Sequence, residues 1–157
     1  MIKHDRIFQV LVVDDSHADV RLLKEMLGEW KIRHCMNVAE SALEAMDVLC
    51  KRGSYDGAPT PDLILLDLNM PGLDGLDLLR WIRNKSSVAG VPVIVLTSSG
   101  ASSDVLAAYN LKANCFIEKP SDLSEFVEVM RQIEMFWFGV ATLLPSALPP
   151  VCEANTE

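Results

Sequence analysis

Five positions combine residue type and spacing in a way that could do chemistry. Asp14 and Asp15 follow the apolar run Phe8 to Val13, Asp67 follows Leu63 to Leu66, Thr97 ends Val91 to Thr97, and Lys119 follows Ala113 to Glu118. Three carboxylates brought to one place repel one another and raise each other's pKa unless a cation joins them. Mg²⁺ prefers octahedral oxygen coordination, often from one or two carboxylates with a carbonyl and waters. Asp15, Asp67 and the backbone carbonyl of Asn69 could supply such a set. Lys119 adds a mobile positive charge and Thr97 a hydroxyl, which suit the oxygens of a phosphoryl group. The chemistry expected is formation of an aspartyl phosphate, with the Asp67 carboxylate as nucleophile and Mg²⁺ and Lys119 balancing the phosphoryl charge.

Such distant positions need an architecture that collects strand ends. Val20, Leu23, Met26 and Leu27 recur at helical spacing over about 17–28, and Ala39 to Lys51 repeats the pattern after a weak strand, Ile32 to Met36. The breaker-rich segment 52–61 must be a surface loop. Leu63 to Leu66 is uniformly apolar, as a strand covered on both faces should be, and Leu76 to Arg83 begins a helix after the Pro71-Gly72 turn. Further helices are expected from about Ser102 to Asn110 and from about 122 to 138, alternating with strands over 91–97 and 113–118. Five strand-helix units imply an α/β fold, a parallel sheet with helices on both faces. In such a sheet ligands sit beyond the carboxyl ends of the strands, where the five residues lie.

Composition bounds the remaining possibilities. A chain of 157 residues, 50% hydrophobic and 23% charged, fits one globular domain. Its net charge of −8 disfavours direct nucleic-acid binding. No signal-peptide segment opens the chain, and the apolar segment from Met135 to Leu144 is too short to span a bilayer. Cys35, Cys50, Cys115 and Cys152 form no C-x-x-C pair, so reduced thiols in a cytoplasmic protein are expected.

Single residues also have plainer readings. Asp14-Asp15 alone would serve as a helix cap and its neighbour, and only the company of Asp67 argues for a metal. Thr97 alone is an ordinary strand end, Lys119 an ordinary lysine, and Asp74 a turn or cap residue. His4, His17 and His34 have no ligand spacing. Met135-Phe136-Trp137-Phe138 cannot all face one core, because successive helical residues point about 100° apart. Some must meet another surface. We therefore expect a homodimer that uses the last helix and the extension to about Val151; the alternative is that 139–151 folds back over the rings.

Taken together, the acidic pair Asp14-Asp15, the segment D-L-N-M-P-G-L-D-G from Asp67, Thr97-Ser98 and Lys119-Pro120 resemble the receiver domain of two-component response regulators over about residues 7–138. The resemblance implies a flavodoxin-like doubly wound sheet, strand order 2-1-3-4-5. Residues 139–157 are expected to form a C-terminal extension, first a dimer contact and then a disordered acidic tail. The resemblance also implies that Asp67 accepts phosphate from a histidine kinase, that Asp14 and Asp15 help bind Mg²⁺, and that Thr97 and Lys119 contact the phosphoryl group. Phe116 matches the aromatic switch position, and the Lys119-Pro120 bond would be cis. The C-terminal side, Asn114 to Pro120 with Phe126, Val129, Ile133, Glu134 to Phe138 and Leu144-Pro145, is similar to the single-domain regulators that serve phytochromes, which implies a red-light-sensing histidine kinase as partner.

The function expected is a phosphorylatable switch that catalyses only its own phosphorylation and dephosphorylation, its output being partner binding. Phosphorylation would draw Thr97 inward and free space for Phe116. A phosphate sink without an output partner is one rival. A Mg²⁺-dependent phosphohydrolase of the haloacid dehalogenase type is another, although that chemistry wants a second Asp where this chain has Asn69.

Overall fold

The computed structural model describes residues 6–145. The expected acidic tail, the extension beyond Pro145, Cys152 and His4 lie outside the described residues. Strands β1 (Phe8–Val13), β2 (His34–Ala39), β3 (Leu63–Leu66), β4 (Val93–Thr97) and β5 (Cys115–Glu118) alternate with helices α1 (His17–Gly28), α2 (Ala42–Cys50), α3 (Gly75–Asn84), α4 (Ser102–Asn110) and α5 (Leu123–Ile133). All strand pairs are parallel, in the order β2-β1-β3-β4-β5 expected from the resemblance.

The alternation of side chains along the strands builds two cores. Leu11, Val13, Ile64, Leu66, Val93 and Val95 face α2, α3 and α4, against residues such as Ala45, Leu49, Leu78, Leu79, Ile82 and Ala108. Val10, Val12, Leu63, Leu65, Ile94 and Leu96 face the other way, against Leu23, Met26 and Leu27 of α1 and Phe126, Met130 and Ile133 of α5. With helices on both faces, β3 is buried at every position, which is why its sequence shows no polar alternation.

Several boundaries differ from expectation. β2 starts at His34, not Ile32, because the amides of Lys31 and Ile32 donate to the Glu134 carboxylate rather than to β1. β4 starts at Val93: Pro92 has no N–H, and the Val91 carbonyl accepts from Arg83 Nη1. β5 starts at Cys115, since the Ala113 amide still closes α4 by donating to Ala108 O. The helix expected over 122–138 is α-helical to Ile133, then π-helical from Glu134 to Val140. That segment divides the apolar quartet. Phe138 is 2% exposed, with ring centroids 4.7 Å from Phe8 and 5.5 Å from Trp30, whereas Met135 and Phe136 are about half exposed.

Candidate functional site

Strand register brings the site together. Val13 pairs with Leu66, and the Asp67 amide donates to Val13 O, so Asp14 and Asp67 emerge side by side just past β1 and β3. Thr97 pairs with Glu118, and the Lys119 amide donates to Thr97 O, which places the lysine one step past β5. Asp14, Asp15 and Asp67 each offer a carboxylate oxygen within 4.8 Å of the others. Asp14 and Asp67 are buried and Asp15 is the open one, so the donor set is all hard oxygen with a route to solvent. Such a set fits a divalent cation of the Mg²⁺ or Mn²⁺ kind.

Local sequence explains how each group is presented. Ser16 caps α1 by accepting from the Asp19 amide, and Asp14 Oδ1 accepts from the Ser16 amide, which fixes the β1–α1 turn. Beyond Asp67, Gly72 takes φ +78°, a left-handed conformation that glycine adopts at little cost. Asp74 then opens α3 through a capping box with Asp77, as its sequence position suggested. Gly75 is required by close approach, because a Cβ there would lie 2.5 Å from Asp67 O and 2.7 Å from Leu68 Cα. The turn therefore folds tightly against the backbone of the Asp67 segment.

Lys119 carries the electrostatics. Its side chain is 7% exposed, and Nζ lies 2.9 Å from Asp14 Oδ2, 2.8 Å from Asp19 Oδ2 and 3.5 Å from Asp67 Oδ2. Burial by itself would lower the lysine's pKa, but hydrogen bonds to Asp19 and Asp14 and the charges of Asp14 and Asp67 hold it above its ordinary value. Asp14 is pushed up from the usual carboxylate range, chiefly by burial, against the opposing pull of Lys119 and the Ser16 amide. The Lys119-Pro120 bond is trans, contrary to the resemblance. With that bond trans, the lysine side chain already reaches all three carboxylates.

Thr97 is fully buried, and its hydroxyl accepts from Asn69 Nδ2 at 3.3 Å. The Asn69 backbone N–H donates to Asp67 Oδ1 at 3.2 Å, so Asn69 links the Asp67 carboxylate to Thr97. Phe116 is half-buried against the core that contains α2, α3 and α4, and its amide donates to the Tyr109 hydroxyl of α4. The five predicted positions thus meet at one edge. His17 lies outside the carboxylate group, paired with Glu40, and His34 contacts the Ile32 carbonyl. Two contacts escaped sequence reasoning, that of the Asn69 side chain with Thr97 and that of Asp19 with Lys119. An acidic residue in a first helical turn is common and carries no signal of such a long-range partner.

Comparison with known proteins agrees with this geometry. The response regulator receiver domain family matches residues 10–131. The chain is 40% identical over 134 residues to response regulator Rcp1 of Synechocystis sp., covering 85% of this chain and 91% of that protein. The crystal structure of Mn²⁺-bound Rcp1 superposes with a TM-score of 0.83 at 38% identity, covering 88% of this chain and 99% of the other. That of the phosphorylated cyanobacterial phytochrome response regulator RcpA superposes with a TM-score of 0.86 at 36% identity, covering 89% and 100%. With carboxylates and lysine gathered past the strands of a 2-1-3-4-5 sheet, and with these matches over most of its length, the chain belongs to the response regulator receiver domain family.

Proposed function

We propose that Asp67 accepts a phosphoryl group from the phosphohistidine of a sensor histidine kinase, and that the phosphorylated protein changes its binding to a partner. The observation that carries this reading is Lys119 Nζ held between Asp14 and Asp67 at a cluster of three carboxylates. In the transfer an Asp67 oxygen bonds to phosphorus, the phosphorus–nitrogen bond breaks, and the imidazole leaves with its electron pair. Asp14, Asp15, Asp67 and the Asn69 carbonyl would hold Mg²⁺. When bound, the ion neutralises charge on the phosphoryl oxygens. Lys119 offers an N–H to the oxygen it faces, and Thr97 offers its hydroxyl on leaving Asn69. Phe116 lies diagonally from that movement on the neighbouring strand: it pairs with Val95, two residues before Thr97, while Thr97 itself pairs with Glu118. Asn69 is an amide engaged with Thr97, which favours this reading over a phosphohydrolase that needs an acid there.

The similarity to RcpA, a cyanobacterial phytochrome response regulator solved in its phosphorylated form, supports a phytochrome-type kinase as the donor. Incubation with acetyl phosphate and Mg²⁺, read by intact mass, tests the core assignment. One acid-labile phosphoryl group is expected on the wild type and none on Asp67→Asn; equal labelling of both would overturn it. Phosphotransfer from purified histidine kinases then identifies the donor, and a phosphorylation-dependent pulldown separates a binding switch from a phosphate sink.

We further propose that the protein is a cytoplasmic homodimer joined through the last helix, with a receiver domain over 7–138 followed by a C-terminal extension. Met135, Phe136, Val140 and Leu144 are exposed along that end, while Leu143 turns back onto the core beside α5. Among the described residues no helix is long and apolar enough to cross a membrane. Deleting residues 139–157 and weighing the protein by light scattering should convert dimer to monomer; an unchanged dimer mass refutes a role for the extension.

A further inference from the structure

We propose that Asp19 is a positioning residue for phosphorylation: with Asp14, it orients the Lys119 ammonium so that the third N–H faces the Asp67 carboxylate. This inference rests on the phosphoacceptor reading of Asp67. An ammonium has three donors on a flexible four-carbon stem, so a single partner leaves it free to rotate. Here two carboxylates from different elements hold it. Asp14 stands at the end of β1 and Asp19 in the first turn of α1, with Nζ distances of 2.9 and 2.8 Å, both within the range of charge-assisted bonds. The third contact, to Asp67 Oδ2 at 3.5 Å, is longer, so the donor that faces the acceptor carboxylate is the least committed one.

The Asp19 carboxylate is itself held in place. Its backbone amide donates to Ser16 Oγ, and the Ser16 amide donates to Asp14 Oδ1, so both carboxylates that grip Lys119 belong to one capped turn. Asp19 is not one of the three carboxylates that converge within 4.8 Å, so pairing with Lys119 does not compete with metal binding. Its side chain is 39% exposed, against 2% for Asp14, so it can be changed without opening a core cavity.

A purely structural Asp19 would act as a favourable acid near a helix N-terminus and would have no coupling to Lys119. Four proteins separate the two roles: wild type, Asp19→Asn, Lys119→Arg and the double variant, each labelled with acetyl phosphate and Mg²⁺ and followed by intact mass. For a positioning residue, Asp19→Asn slows labelling by roughly three- to tenfold in the wild-type background and changes it little beside Lys119→Arg. An unchanged rate, or the same loss in both backgrounds, overturns the proposal while wild-type labelling still upholds the acceptor role of Asp67. Labelling of Asp67→Asn would overturn both. Urea unfolding of the same four proteins gives a readout independent of rate: non-additive losses support the Asp19–Lys119 pairing, and additive losses refute it.

Discussion

Replacing Phe138 by Ala tests whether the π-helical end of α5 belongs to the folded core. Phe138 is 2% exposed and its ring meets Phe8 and Trp30 at 4.7 and 5.5 Å, inside the range of favourable aromatic pairs. Truncating a buried Phe costs about 3–5 kcal/mol through lost transfer energy and the cavity left behind. Phe136, two residues earlier, is 50% exposed with its ring edge-on to Trp137, so its truncation should cost under about 1 kcal/mol. Urea unfolding followed by tryptophan fluorescence measures both. With a slope of about 1–3 kcal/mol per molar urea, Phe138→Ala should lower the midpoint by about 1 M or more, and Phe136→Ala by much less. The comparison should be run at two protein concentrations. A dimer that buries Phe136 makes the Phe136→Ala loss grow with concentration, because association stabilises only the folded state. Equal losses for the two variants at low concentration would refute the division of the quartet into one buried and one outward ring.

Other consequences follow from single contacts. Gly75→Ala places a Cβ against backbone atoms of Asp67 and Leu68 that cannot move aside cheaply. It should destabilise by about 1–3 kcal/mol in thermal melting and slow Asp67 labelling, whereas Gly28→Ala, with open space around it, should be neutral or stabilising. Glu128, held by Arg131 and then by Gln132, has its pKa lowered to about 2 from 4.5. Because the folded-state value is depressed, its contribution to stability is present above pH 4.5 and fades as pH falls toward 2. Carboxyl NMR shifts that titrate near 4.5 would contradict that pairing, and salt should weaken it, since the pair is solvent-exposed.

Much of the fold was legible in the sequence because its signals are local. The apolar runs at β1, β3 and β4, the helical spacing of Val20, Leu23 and Leu27, and the cap at Asp74 depend on neighbours within a turn or two of chain. The site was legible for a related reason: in a parallel sheet built from repeated strand-helix units, every strand ends at the same edge, so carboxylates that follow strands must converge. The family resemblance then supplied the strand order, which no local pattern contains. Tertiary structure alone decided the partners that lie far apart in sequence. Glu134 takes the amides of Lys31 and Ile32 and so delays β2, Phe138 turns inward while Phe136 stays out, and Asp19 reaches Lys119. The first two depend on α5 packing on the same face of the sheet as α1, and the third on β5 ending at the same edge as β1. That placement is set by burial summed over the whole core, and no single stretch of sequence carries it.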